Sequence, residues 1–118
     1  MKEFLLVFRS DVAANETPPS PEQMQERMRR WQDWIGGIAA QNKLADPGNR
    51  LGAEGKVVKS NNVITNGPFV EIKETIGGYI MIKAETLDEA TALVDGCPIF
   101  AINGSVEVRR VIPMDENA

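Results

Sequence analysis

Phe4-Leu5-Leu6-Val7-Phe8 is a run of consecutive apolar residues near the start of the chain, closed by Arg9-Ser10-Asp11. A run that short, with no polar residue alternating into it, suits a strand buried on both faces. Whatever sheet contains it therefore needs cover on both sides, and the rest of a 118-residue chain has to supply that cover. A chain of this length supports one modest core. Residues 1–113 are expected to form a single domain and residues 114–118, with Asp115 and Glu116, an acidic tail.

The first cover is a helix. After a polar connector from Asp11 to Pro19, Ser20-Pro21-Glu22-Gln23 supplies an N-cap, a proline at the first helical position and a glutamine placed to close a capping box. Met24, Met28, Trp31, Ile35 and Ile38 then fall on one helical face and read as core packing. Gly36-Gly37 either permits close packing or loosens the helix, and both readings stay open. Thr86-Leu87-Asp88-Glu89 is a second capping box, opening a helix that turns Leu87, Ala90, Leu93 and Val94 to the core and stops at Gly96 and Pro98.

The remaining segments read as strands and turns. Asp46-Pro47-Gly48-Asn49 is a turn signal followed by a glycine-rich loop through Gly55. Lys56 to Lys59 and Asn62 to Thr65 form a small hairpin around Ser60-Asn61. Gly78 to Ala84 alternates cleanly as a strand, and Ser105 to Ile112 is the last one, stopped by Pro113. Between hairpin and strand, Asn66-Gly67-Pro68 forces a corner, and Gly77-Gly78 lets another backbone or a ligand come close. Glu71, Lys73 and Glu74 lie between these two breaks, as a site rim or as a solvated connector anchored by Phe69.

Composition removes several functions. Seventeen acidic against 13 basic residues leave a net charge of −4 with no basic run, so direct nucleic-acid binding is not expected. The opening apolar run is too short for a signal peptide or a membrane span, which points to the cytoplasm. One cysteine, Cys97, allows no intrachain disulfide and reads as a structural thiol. The chain has no histidine, which eliminates Ser-His and Cys-His pairs and the commonest transition-metal ligand. No metal and no cofactor is expected; Glu71 and Glu74 alone are a thin hard-cation site.

Strand, helix, hairpin, strand, helix, strand is the βαββαβ order of a ferredoxin-like α+β sandwich, with an extra hairpin. If Phe4, Leu6, Phe8, Ile80, Ile82, Val106 and Val108 face the helices, then Leu5, Val7, Arg9, Tyr79, Met81, Glu107 and Arg109 face away. That second set is too apolar for water and too charged for a core. Packing two copies sheet to sheet would bury its apolar part and enclose a polar pocket.

Asn66-Gly67-Pro68-Phe69-Val70-Glu71-Ile72-Lys73-Glu74 with Gly77-Gly78-Tyr79, the Leu87-Asp88-Glu89-Ala90 helix start and the Glu107-Val108-Arg109 strand resemble the DGPF branch of the YCII-related proteins. The resemblance runs from the first strand to Val111. It implies a dimeric α+β barrel, an architecture shared with small isomerases, cofactor-free monooxygenases and binding-only proteins, and it implies no particular activity for this branch. Two positions depart from the pattern: Asn66 replaces the motif's aspartate, and Arg110 stands where a proline usually follows the last strand's arginine. The His-Asp pair associated with YCII relatives has no counterpart here, because there is no histidine.

Three functions remain in view. The first is a homodimer binding a small anionic molecule between its sheets through Arg9, Asn66, Lys73, Tyr79 and Arg109. The second is a cofactor-free enzyme in the same pocket with Glu71 or Glu74 as general base, which needs a raised carboxylate pKa. The third is a regulatory partner protein, since YCII-related domains occur near or fused to transcription-initiation factors. Few proton-transfer groups favour binding over catalysis.

Overall fold

The computed structural model describes residues 1–11, 19–52, 54–62, 64–66 and 74–116. The elements run β1 (Lys2–Asp11), α1 (Pro21–Ala40), β2 (Leu44–Arg50), β3 (Lys56–Val58), β4 (Ile64–Asn66), β5 (Glu74–Ala84), α2 (Leu87–Ala92), a 3-10 turn (Pro98–Ile102) and β6 (Ser105–Arg110). Four strands make one antiparallel sheet in the order β2-β5-β1-β6, the ferredoxin-like order, while β3 and β4 pair only with each other. The apolar run thus sits on a central strand.

Side-chain alternation divides the sheet's faces as expected. Phe4, Leu6, Phe8, Ile80, Ile82 and Ala84 are buried beneath the helices, joined by Ile38 of α1, Ala90 of α2, Val94, Cys97 and Ile99. Phe8, Trp31 and Trp34 meet edge to face with ring centroids 4.9 to 5.9 Å apart, a geometry that aromatic quadrupoles favour. The register places Val108 opposite Leu6 and Val106 opposite Phe8, so both valines line the same core.

The start of α1 forms as its sequence requires, whereas at α2 only the Thr86 half of the expected capping box is present. The Ser20 hydroxyl accepts the Gln23 backbone N–H at 3.2 Å and the Gln23 side chain accepts the Ser20 N–H at 2.9 Å, the full reciprocal box. Thr86 caps α2 by accepting the Glu89 N–H at 3.1 Å, and the Glu89 carboxylate pairs with Lys43 at 2.7 Å, tying α2 to the link between α1 and β2.

Several expectations need correction. The second strand of the sheet is β2, in the segment read as a turn and loop. Asp46-Pro47-Gly48-Asn49 does turn, but inside a strand: Asp46 Oδ1 accepts the Gly48 N–H at 2.6 Å, Gly48 takes φ 64°, and pairing with β5 resumes at Asn49 opposite Tyr79. An edge strand tolerates a proline and a bulge because one side of its backbone needs no partner. Gly78 explains the double glycine. A Cβ there would lie 2.9 Å from the Asn49 carbonyl oxygen, so the backbone that approaches closely is β2 itself.

The apolar stripe of α1 is only half used: Trp31, Trp34, Ile35 and Ile38 pack on the core, whereas Met24 and Met28 are 38% and 56% exposed. The core lies beneath the second half of the helix and does not extend under the first. Leu87, at the first position of α2, is also exposed, at 54%. Gly36 and Gly37 neither stop α1 nor admit a close neighbour, since nothing lies within 4 Å of an added Cβ at either. The last two sheet strands also differ in extent from expectation, with β5 beginning at Glu74 and β6 ending at Arg110. Among the described residues, no helix is long and apolar enough to cross a membrane, which says nothing of a β-barrel.

Candidate functional site

The face of the sheet turned away from the helices holds the chemistry. Because paired residues share a face, the register gives two rows across β2, β5, β1 and β6: Asn49, Tyr79, Val7 and Glu107 in one, Asp46, Met81, Leu5 and Arg109 in the next. Arg9 lies past the first row, opposite Ser105 on one side and Ile76 on the other. Leu5, Val7, Tyr79 and Met81 are half-buried, so the two central strands carry a largely apolar strip with polar groups at its edges.

Glu107 organises the charged edge. It lies two residues from Ser105, the partner of Arg9, and two from Arg109, so the guanidiniums reach it from opposite directions along the strand. Arg9 Nη2 donates to Oε1 at 3.2 Å and Arg109 Nη1 donates to Oε2 at 3.3 Å. The Arg109 hydrogen bond, with the Arg9 charge and bond behind it, holds the Glu107 carboxyl below the usual carboxylate range. Arg109 stays 73% exposed despite that bond. At the other end of the same row, the Asn49 side-chain amide donates to the Tyr79 hydroxyl at 3.2 Å.

Of the residues expected to form the site, Arg9, Tyr79 and Arg109 share this face. Asn66 does not join them: its backbone pairs with Lys56 in the separate β3-β4 hairpin. Glu74 begins β5, opposite Asp11. Glu71 and Lys73 lie outside the described residues, as do Gly67 and Pro68 of the expected corner. The Asn49 contact was missed because a strand hidden in Asp46-Pro47-Gly48-Asn49 has no apolar alternation to show it. Glu107 was assigned to the face by alternation, but its double bond to both arginines depends on register.

Two open depressions, of about 590 Å³ and 490 Å³, lie on the helical layer around Trp34, the first against Cys97, Pro98 and Phe100 and the second against Ile38, Lys43 and Leu93. Burial pushes the thiol of Cys97, in the first, up to about 11, which favours its neutral form. Among the described residues, no group of three or more His, Cys, Asp or Glu side chains could hold a metal ion. The carboxylates there whose pKa departs from the ordinary value, Glu26, Glu89 and Glu107, are all held down by arginine or lysine partners.

A comparison with curated proteins finds no match. A family model does match: the YCII-related domain, over residues 16–115.

Proposed function

The chain belongs to the YCII-related family, and from that premise we propose that it works as a homodimer which binds a small anionic molecule between two facing sheets. The observation that carries this reading is the charge beside the face's central apolar strip: two arginines, Arg9 and Arg109, share the single carboxylate of Glu107. Such a face is poorly matched to water, and a second copy laid against it would cover Leu5, Val7 and Met81 while enclosing the arginines. Arg109, with one long bond and high exposure, is the arm free to turn to a ligand. Its forked donors suit a carboxylate or phosphate in a way a lysine ammonium does not. Tyr79 supports the same pocket as a hydrogen-bonding group, and Glu71, Lys73 and Glu74 are proposed for its rim. Binding is favoured over catalysis because a chain without histidine has few groups suited to proton transfer.

A thermal-shift panel of small carboxylates and phosphates tests the reading, run on the parent and on Arg109→Lys. Charge-assisted hydrogen bonds contribute on the order of 1.5–3 kcal/mol, so Arg109→Lys is expected to weaken anion binding about tenfold with little change in stability. No stabilisation by any anion, together with a large stability loss in Arg109→Lys, would make the arginines scaffold and end the proposal.

A further inference from the structure

Resting on the anion-binding reading above, we infer that the ligand is a monocarboxylate with an apolar, ring-sized body, and not a phosphate ester or a polycarboxylate. The charge count comes first. Arg9 and Arg109 bring two positive charges and Glu107 removes one, using Oε1 for the first and Oε2 for the second. One positive charge per face remains in this cluster. A ligand carrying two or three negative charges and held by one face's cluster would leave at least one of them uncompensated at an apolar surface, which is costly.

The register then sets the body. Leu5 lies between Arg109 and Met81, and Val7 between Glu107 and Tyr79, so an acid held at the β6 edge must lay its next atoms over aliphatic side chains. Neighbouring strands are about 4.8 Å apart, which puts Tyr79 roughly 10 Å from the charged edge, across two spacings. That is the reach of a carboxylate on a short chain ending in a ring. The Tyr79 hydroxyl accepts from Asn49, and its own proton has no acceptor among the described residues. It is therefore placed to donate to an oxygen at the far end of the ligand.

Titration calorimetry on the intact protein decides the matter with a graded set: acetate, phenylacetate, phenylpropanoate, para-hydroxyphenylpropanoate, the neutral amide of phenylpropanoate, inorganic phosphate and citrate. Affinity is expected to rise about fourfold from phenylacetate to phenylpropanoate, the value of one buried methylene, and to fall at least tenfold in the amide. The para-hydroxylated acid is expected to bind better than its parent, and Tyr79→Phe to erase that preference. Phosphate or citrate binding as tightly as phenylpropanoate, or affinity that ignores body length, would overturn this inference and leave anion binding standing. If none of the anions binds, the anion-binding reading falls and takes this inference with it.

Discussion

At the scale of single residues, Glu107 is the side chain whose charge matters most to the proposed site. Its folded pKa lies below the ordinary 4.5, so its ionised form contributes stability above the unfolded value, and that contribution is lost as pH falls through the folded one. Glu107→Gln is expected to flatten the acid side of the stability curve below about pH 4.5, read from urea midpoints at a series of pH values. Glu26 and Glu89 are shifted in the same direction, chiefly by hydrogen bonds to Arg29 and Lys43, so the slope should shrink without vanishing. An unchanged acid limb would show that Arg9 and Arg109 do not discriminate between its charged and neutral forms. Cys97 gives a second expectation at this scale. With a thiol at about 11 and 3% exposure, it should react with an aromatic disulfide reagent only after denaturant opens the fold; rapid native labelling would contradict its burial.

Among the elements, β2 and α1 differ most from their sequence appearance. Gly48 holds φ 64°, and a Cβ there would fall well inside contact with the Tyr79 carbonyl oxygen. Gly48→Ala is therefore expected to destabilise by at least 1–2 kcal/mol or to detach the edge strand, visible as faster amide exchange in β2 and the facing part of β5. A variant as stable as the parent would mean that β2 is not bulged at this position. In α1 the first half carries exposed Met24 and Met28 and leans on its cap. Ser20→Ala removes about 1 kcal/mol of helix stability, and because the core lies under the second half, the loss should appear as exchange across residues 21–28 with a small change in Tm. For comparison, Leu6→Ala in the core should cost about 2–5 kcal/mol. A Ser20→Ala variant as damaged as that one would tie the helix start to the core after all.

For the whole molecule, the open sheet face is the unresolved surface of the single chain. Its half-buried Leu5, Val7, Tyr79 and Met81 lie beside Arg9, Glu107 and Arg109, and the separate β3-β4 hairpin pairs an exposed Val58 with an exposed Ile64. A two-stranded ribbon is marginal by itself, so both surfaces gain from a second copy. Light scattering at micromolar concentration is expected to give twice the chain mass. A monomeric mass with ordinary stability would remove the enclosed pocket, and with it the setting for Arg9 and Arg109.

Local rules carried much of this fold. The apolar run Phe4 to Phe8, the Ser20 and Thr86 caps and the period-two alternation of β5 and β6 are properties of neighbouring residues, so the sequence alone determined a ferredoxin-like sheet and which side chains share its outer face. The edge strand was different. Pro47 and Gly48 read as a turn, and only the backbone of β5, opened by Gly78, shows that the turn is a bulge inside a strand. Register likewise decided the site: alternation placed Arg9, Glu107 and Arg109 on one face, but only the alignment of β1 with β6 set one carboxylate between two guanidiniums. A side chain's face follows from its own position in the strand, while its partner depends on how far one strand slides past another, which no single segment encodes.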